Sequence, residues 1–249
     1  MIISIINQKG GTGKTTTSIN LGKALVLNDK KVLLVDLDPQ GNLSYSLNID
    51  EHSKGVFEVM IDDVEISEAI IEREKMHVLS SNLLLADLEL TLQPIENRSF
   101  VLMNKLNYIK HLYDYILIDC PPSLSLLTVN ALTASDKVIT PVLLDVLSLQ
   151  GLKQILRTIN KIKNAFNSKL DLMGVLPVNV DDRKRLSREI MEFLSNHFQV
   201  YIFNNYIRTN VSASEAPSFG ISVIEYAPKS NSAKDYCNLA NEILTINKR

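Results

Sequence analysis

The sequence predicts an α/β fold: a doubly wound, mostly parallel β-sheet with helices on both faces. Two observations carry this. Short apolar runs rich in β-branched residues recur along the 249 residues without the apolar/polar alternation of a half-solvated sheet, the pattern of strands buried on both faces. Between them lie longer stretches whose apolar residues repeat every three or four positions. Strands that alternate with such helices build parallel sheets covered on both sides.

The elements follow in order. Residues 1–7, with Ile2, Ile3, Ile5 and Ile6, read as the first strand. Residues 15–27 read as a helix, because Ile19, Leu21, Ala24, Leu25 and Leu27 fall at helical spacing and Asn28-Asp29 closes the segment. Residues 32–35 form the next strand, completing a strand–helix–strand unit within about 35 residues. Residues 50–98 yield only short amphipathic pieces at 56–61 and 66–71 and a short strand at 77–79. Beyond them the pattern predicts a helix at 99–111, strands at 115–118 and 137–141, and a helix at 149–166. A strand at 172–177, an amphipathic helix at 183–198, a strand at 200–203 and a helix at 232–246 complete the chain. No repeat, low-complexity tract or Pro/Gly-rich linker interrupts this order, so a single domain over residues 1–249 is expected.

Composition excludes several classes. Hydrophobic residues make up 45% and charged residues 22%, ordinary globular usage, and no apolar run approaches the roughly 18 residues that span a bilayer. The N-terminus enters a strand at once instead of a basic-then-apolar signal, so a cytoplasmic protein is expected. A net charge of −2 does not announce a nucleic-acid binder, and any such role must come from a local patch. Cys120 and Cys237 are too few and too far apart for a zinc or iron–sulfur site within one chain, and read as buried thiols.

The chemistry concentrates at the end of the first strand, where Lys9-Gly10-Gly11-Thr12-Gly13-Lys14-Thr15-Thr16 leads into a helix. Glycines at 10, 11 and 13 permit backbone angles that a Cβ forbids, so successive N–H groups can point at phosphate oxygens. The N-terminus of the following helix adds partial positive charge. Lys14 is expected to reach the β- and γ-phosphates of ATP and the Thr15 hydroxyl to ligate Mg2+. The usual pattern starts with glycine five residues before the Gly-Lys pair; here Gln8 holds that place and Lys9 follows it. A second cation at the loop mouth suits a phosphate, one bound by a neighbouring protomer included. Asp38 lies just past the end of the second strand, where open α/β sheets place their ligands, and is expected to face the γ-phosphate. For Asp36, turn capping and a place behind the metal remain equally open. Asp119 ends the apolar strand at 115–118 and is expected on the Mg2+, so Thr15, Asp38 and Asp119 are the candidate metal-side oxygens.

KGGTGKTT, DLDPQGN and ILIDCPPS, followed in order by PVLLDVLSLQGL, GVLPVNVDDR and SEAPSFG, resemble the deviant-Walker partition ATPases of the ParA/Soj family, within the wider group that includes MinD. The resemblance covers nearly the whole chain. It implies an ATP-sandwich homodimer in which Lys9 reaches the other subunit's phosphates, and an Asp38 that orients the attacking water. It further implies a slow ATPase, stimulated by a ParB-like centromere-binding partner, that binds double-stranded DNA non-specifically and is therefore nucleoid-associated. Asn179 matches the adenine-contacting region. Cationic candidates for DNA are Arg183, Lys184 and Arg185, with Arg208 and Lys229 farther on, while Ser212 stands where relatives often carry a second arginine. Some plasmid relatives carry an extra N-terminal DNA-binding domain; this sequence starts at the first strand, and autoregulation is not expected. The MinD-like alternative needs an amphipathic cationic tail, but residues 239–249 offer no Phe or Trp and end on only Lys248-Arg249. Electron transfer, as in nitrogenase iron protein, would need cluster-ligating cysteines from both protomers, and Cys120 lies inside the expected nucleotide site, next to Asp119.

Overall fold

The computed structural model describes residues 1–62 and 64–247; Asp63, Lys248 and Arg249 lie outside the described residues. All strands join one eight-stranded sheet. The chain runs β1 (Ile2–Ile5), α1 (Lys14–Val26), β2 (Val32–Asp36), α2 (Asn42–Ser46) and α3 (Val56–Ile61). It continues through β3 (Ile70–Arg73), β4 (Met76–Leu79), α4 (Leu88–Leu92), α5 (Val101–Ile109), β5 (Tyr115–Asp119), α6 (Leu126–Ala134), β6 (Lys137–Leu143) and α7 (Val146–Ala165). Last come β7 (Asp171–Val180), α8 (Arg185–His197), β8 (Ile207–Arg208), α9 (Ser212–Glu215), α10 (Val223–Tyr226) and α11 (Asn231–Ile246). The strand order is β3-β4-β2-β5-β1-β6-β7-β8, with every pairing parallel except β3 with β4.

Alternation along the central strands divides the core. Ile2, Leu33, Val35, Ile116 and Ile118 face the layer of α3 to α7, whereas Ile3, Ile5, Leu34 and Leu117 face α1, α10 and α11. Both sides of each strand are therefore apolar, which is why the runs read as continuous. A smaller cluster of Val142, Leu152, Val175, Ile190, Leu194 and Phe198 fastens α8 to α7 and the sheet. In α11, Ala233, Tyr236, Leu239, Ala240 and Ile243 are buried in the second of these cores, so the described apolar face of that helix is spent on packing. Among the described residues no helix is long and apolar enough to cross a membrane.

Two expectations are corrected, and one helix is added. The amphipathic piece at 66–71 is not one element but a single 3-10 turn followed by β3, which hairpins onto β4 through Glu74 and Lys75, both at positive φ. The strand at 200–203 shrinks to one bridge between Ile202 and Val175. The chain turns away there because Glu242 accepts hydrogen bonds from the backbone N–H groups of Asn204 (2.8 Å) and Asn205 (2.9 Å), and the sheet's edge is completed by β8 instead. Helix α6, between β5 and β6, has no sequence forecast, being apolar almost all round.

Candidate functional site

The loop after β1 is tied down before it reaches α1. Asn7 donates from Nδ2 to the Pro141 carbonyl (2.6 Å) and accepts from the Lys9 amide (3.0 Å), and the Thr12 hydroxyl donates to the Lys9 carbonyl (3.2 Å). Gly11 (φ 72°) and Gly13 (φ 70°) are left-handed, a conformation that side chains resist, and Gly13 caps α1. The loop and the free N–H groups in the first turn of the 13-residue helix that follows together form a cradle suited to an anion. Lys14, at that turn, is 7% exposed and Thr12 fully buried.

The register puts carboxylates beside this cradle. Asp36 and Asp119 are direct neighbours at the ends of β2 and β5, and Ile5, at the end of β1, neighbours Asp119. Asp119 is wholly buried and accepts from Thr15 Oγ1 (2.7 Å) and Ser18 Oγ (3.1 Å). Burial first, and the charge of Asp36 second, push its carboxyl up to about 8 against the pull of Thr15 and Lys14. Burial likewise pushes Asp36 up to about 6, although Ser44 donates to it from both N (2.9 Å) and Oγ (2.7 Å). Two carboxylates side by side with this little compensating charge fit a divalent cation. The donors available, a hydroxyl and carboxylate oxygens, are the hard ligands of Mg2+, which usually takes one or two protein carboxylates and completes its shell with water and phosphate.

Asp38 lies two residues past β2, 6% exposed, and in this state caps its own turn: Oδ1 accepts from the Gln40 amide (3.0 Å) and its carbonyl from Gly41 (2.8 Å). Lys9 is not free at the loop mouth, since Nζ lies 2.8 Å from Asp145 Oδ2. Asp145, the N-cap of α7, also accepts from the Ser148 amide (2.8 Å). Partial burial opposes ionisation of Asp145, yet the bonds from Lys9 and Ser148 hold its carboxyl below the usual carboxylate range. Nothing in the motif pointed to Asp145, although it sits just past a strand's carboxyl end, the same positional rule that singled out Asp38.

On the other side of the loop a cavity of about 250 Å3 is lined by Gly11, Gly13, Thr16, Asn179, Arg208 and Tyr236, among others. Asn179 stands in the left-handed region (φ 54°), where asparagine is among the tolerated residues. Arg208 is therefore placed against the loop's cavity and not on a free surface: its guanidinium grips buried Asp235 through Nη2 (2.6 Å) and Nε (3.0 Å). Tyr236 hydrogen-bonds Thr17 (3.3 Å) beneath the same wall. The remaining cations form no common cluster with the loop. Arg183 pairs with Asp181 (2.9 Å) and Arg185 with Glu189 (2.7 Å), while Lys184 and Lys229 are simply exposed. Cys120 is fully buried, and its burial and the Asp119 charge push the thiol up, away from a thiolate.

Comparison with known proteins decides what this arrangement belongs to. Residues 1–172 match the family described as AAA domain. The Bacillus subtilis sporulation initiation inhibitor protein Soj is 42% identical over 246 residues, 97% of each chain. The chain belongs to the ParA/Soj family of partition ATPases. The Caulobacter vibrioides chromosome partitioning protein ParA is 38% identical over 250 residues, covering 98% of this chain and 94% of that one. A crystal structure of cobyrinic acid a,c-diamide synthase from Mycobacterium smegmatis, with bound ATP analogue and magnesium, superposes at a TM-score of 0.87 with 35% identity, over 98% of this chain and 93% of that one. The doubly wound fold of this ParA/Soj member is thus that of nucleotide-bound relatives.

Proposed function

We propose that this chain is a partition ATPase for a chromosome or plasmid. It binds ATP with Mg2+ on residues 9–16, forms a homodimer around the nucleotide and holds double-stranded DNA without regard to sequence. It lets go when a ParB-like partner speeds hydrolysis, and it acts in the cytoplasm on the nucleoid. The observation that carries this is the lysine pair on one loop: Lys14 is buried at the helix start, whereas Lys9 stands at the open mouth. One lysine suffices for a nucleotide held within one chain. A second, at the loop mouth and ion-paired only with Asp145 among the described residues, suits a nucleotide shared with another copy, and a shared ligand must stabilise the interface that shares it.

The residues divide the work. Gly10, Gly11, Thr12 and Gly13 present backbone donors to phosphate, and Lys14 and Thr16 flank them at the helix start. Asn179 faces the cavity in which the base would sit. Thr15 and Asp119, already hydrogen-bonded to each other, would hold Mg2+ with Asp38 near by. Bound there, the ion would neutralise charge that develops on the transferring phosphate. Asp38 caps the Gln40 amide through Oδ1, which leaves Oδ2 to orient a water while the cap stays in place. Lys9, by contrast, must leave Asp145 before it can serve a second copy.

Light scattering with and without Mg·ATP, paired with binding to random-sequence duplex at two salt concentrations, tests the reading. An ATP-dependent dimer whose DNA affinity falls with salt is expected. A stable dimer of nucleotide-free protein, or no binding to duplex at low salt, would overturn it.

A further inference from the structure

The charge on this chain is distributed unevenly in a way the motifs do not use. Between Asp145 and Asp171 there is no acidic residue, yet residues 146–170 carry Lys153, Arg157, Lys161, Lys163 and Lys169. That segment has a charge of +5 within a chain whose net charge is −2. Most of it is α7, whose inner face, Leu152, Ile155, Ile159 and Ile162, is buried in the core. Lys153, Arg157 and Lys161 recur at intervals of four on the exposed face. Side chains four apart stand above one another on a helix, about 6 Å per step, so the three form a straight stripe about 12 Å long.

The stripe differs from the cations at 183–188, just before and at the start of α8, in what engages it. Arg183 and Arg185 are ion-paired with Asp181 and Glu189, and Arg188 donates to the Asp182 carbonyl (3.3 Å). Lys153, Arg157 and Lys161 have no ion-pair partner among the described residues. Among the described residues that line the adjoining groove, the one carboxylate, Asp171, is already shared by Lys137 (2.9 Å) and Lys163 (4.0 Å). Lys153, Arg157 and Lys163 rim a groove of about 680 Å3 whose far wall is His197 to Tyr201. Its apolar floor, Ile159, Leu170 and Phe198, is buried, so the groove presents charge more than grease. Row-like, unneutralised cations on a rigid helix suit a regular row of anions, and duplex DNA carries one negative charge per about 1.7 Å of axis.

We propose that the α7 stripe Lys153–Arg157–Lys161, and not the α8 arginines, is the surface that meets the phosphate backbone of duplex DNA. The assignment rests on the partition reading above and names the surface which that reading leaves open. Each phosphate neutralised contributes about 0.9 to the slope of log affinity against log salt, so three contacts contribute about 2.7.

The test is a salt series of ATP-bound protein on random-sequence duplex. K153Q/R157Q/K161Q is expected to lower the slope by about 2 to 3 while keeping ATP-dependent dimerisation, which reports folding. The charge-preserving K153R/R157K/K161R is expected to keep the wild-type slope, separating charge from packing. R183Q/R185Q is expected to change it by less than about 1. A neutralised α7 that binds like wild type overturns the assignment and leaves the stripe to an acidic protein segment; a slope lost only in the α8 variant overturns it equally. If wild-type protein with ATP fails to bind duplex at all, the partition reading itself falls, a distinct result.

Discussion

In the homodimer proposed above, the ion pair between Lys9 and Asp145 would oppose the state in which Lys9 serves a second copy, and its removal has a calculable effect. Both side chains are more than a third exposed, at 39% and 37%, so the pair lies in the screened regime of about 0.2–1 kcal/mol. A symmetric dimer breaks two such pairs, giving about 0.4–2 kcal/mol against association. Asp145→Asn removes the charge and keeps the oxygen that caps Ser148, because asparagine caps a helix as well as aspartate. Dimerisation in saturating Mg·ATP is therefore expected to tighten by about 2- to 30-fold. Sedimentation equilibrium of wild type and variant measures it, with the gain shrinking at high salt. In a chain that already carries Lys9→Ala, the same Asp145→Asn change should leave dimerisation unaltered, which completes a double-mutant cycle. An unchanged or weakened dimer in Asp145→Asn alone would refute the argument, since it would mean that Asp145 supports Lys9 in the dimer as well.

Three further outcomes follow from the same geometry. Lys14→Ala should lose ATP binding, read by calorimetry, whereas Asp38→Ala should keep ATP and lose turnover; wild-type hydrolysis by the latter would remove Asp38 from the mechanism. Asp119 and Asp36 are raised in the folded state to about 8 and about 6, against an unfolded value of about 3.9, so the folded chain holds protons that the unfolded chain has released. Their contribution to the nucleotide-free protein is thus complete below pH about 4 and is lost as pH rises towards 8. Asp119→Asn should flatten that decline and raise the urea midpoint near pH 7.5, and a wild-type midpoint that does not fall over this range would contradict it. At Gly55 a Cβ would stand 2.2 Å from the Ser80 carbonyl oxygen, which also accepts the Val56 amide (2.9 Å). Gly55→Ala should cost about 1–3 kcal/mol in chemical denaturation, because backbone on both sides must shift.

The phosphate loop and the central strands were legible because local chemistry dictates them. Ile2, Ile3 and Ile5 are buried whichever face they take, and the glycines at 11 and 13 have backbone angles that few other residues adopt. What stayed hidden depends on partners distant in sequence. The Glu74-Lys75 turn has two residues at positive φ without the Asn-Gly signature that such turns usually carry, so β3 could not be foreseen. The strand expected at 200–203 is cut short by Glu242, nearly forty residues on. Arg208 reads as one more surface cation until Asp235 is seen to hold it against the cavity. Lys9 stands out by its place in the loop, but its present partner lies 136 residues away.

The site is also assembled from opposite ends of the chain. The phosphate loop is finished by Thr16, whereas the cavity wall waits for Arg208 and Tyr236. During synthesis at about 5–20 residues per second, roughly 10 to 40 s separate the two. β1 is flanked by β5 and β6, so even the strand that carries the loop has no neighbour until those emerge. A nascent chain therefore displays the phosphate loop long before the cavity wall that faces it is in place.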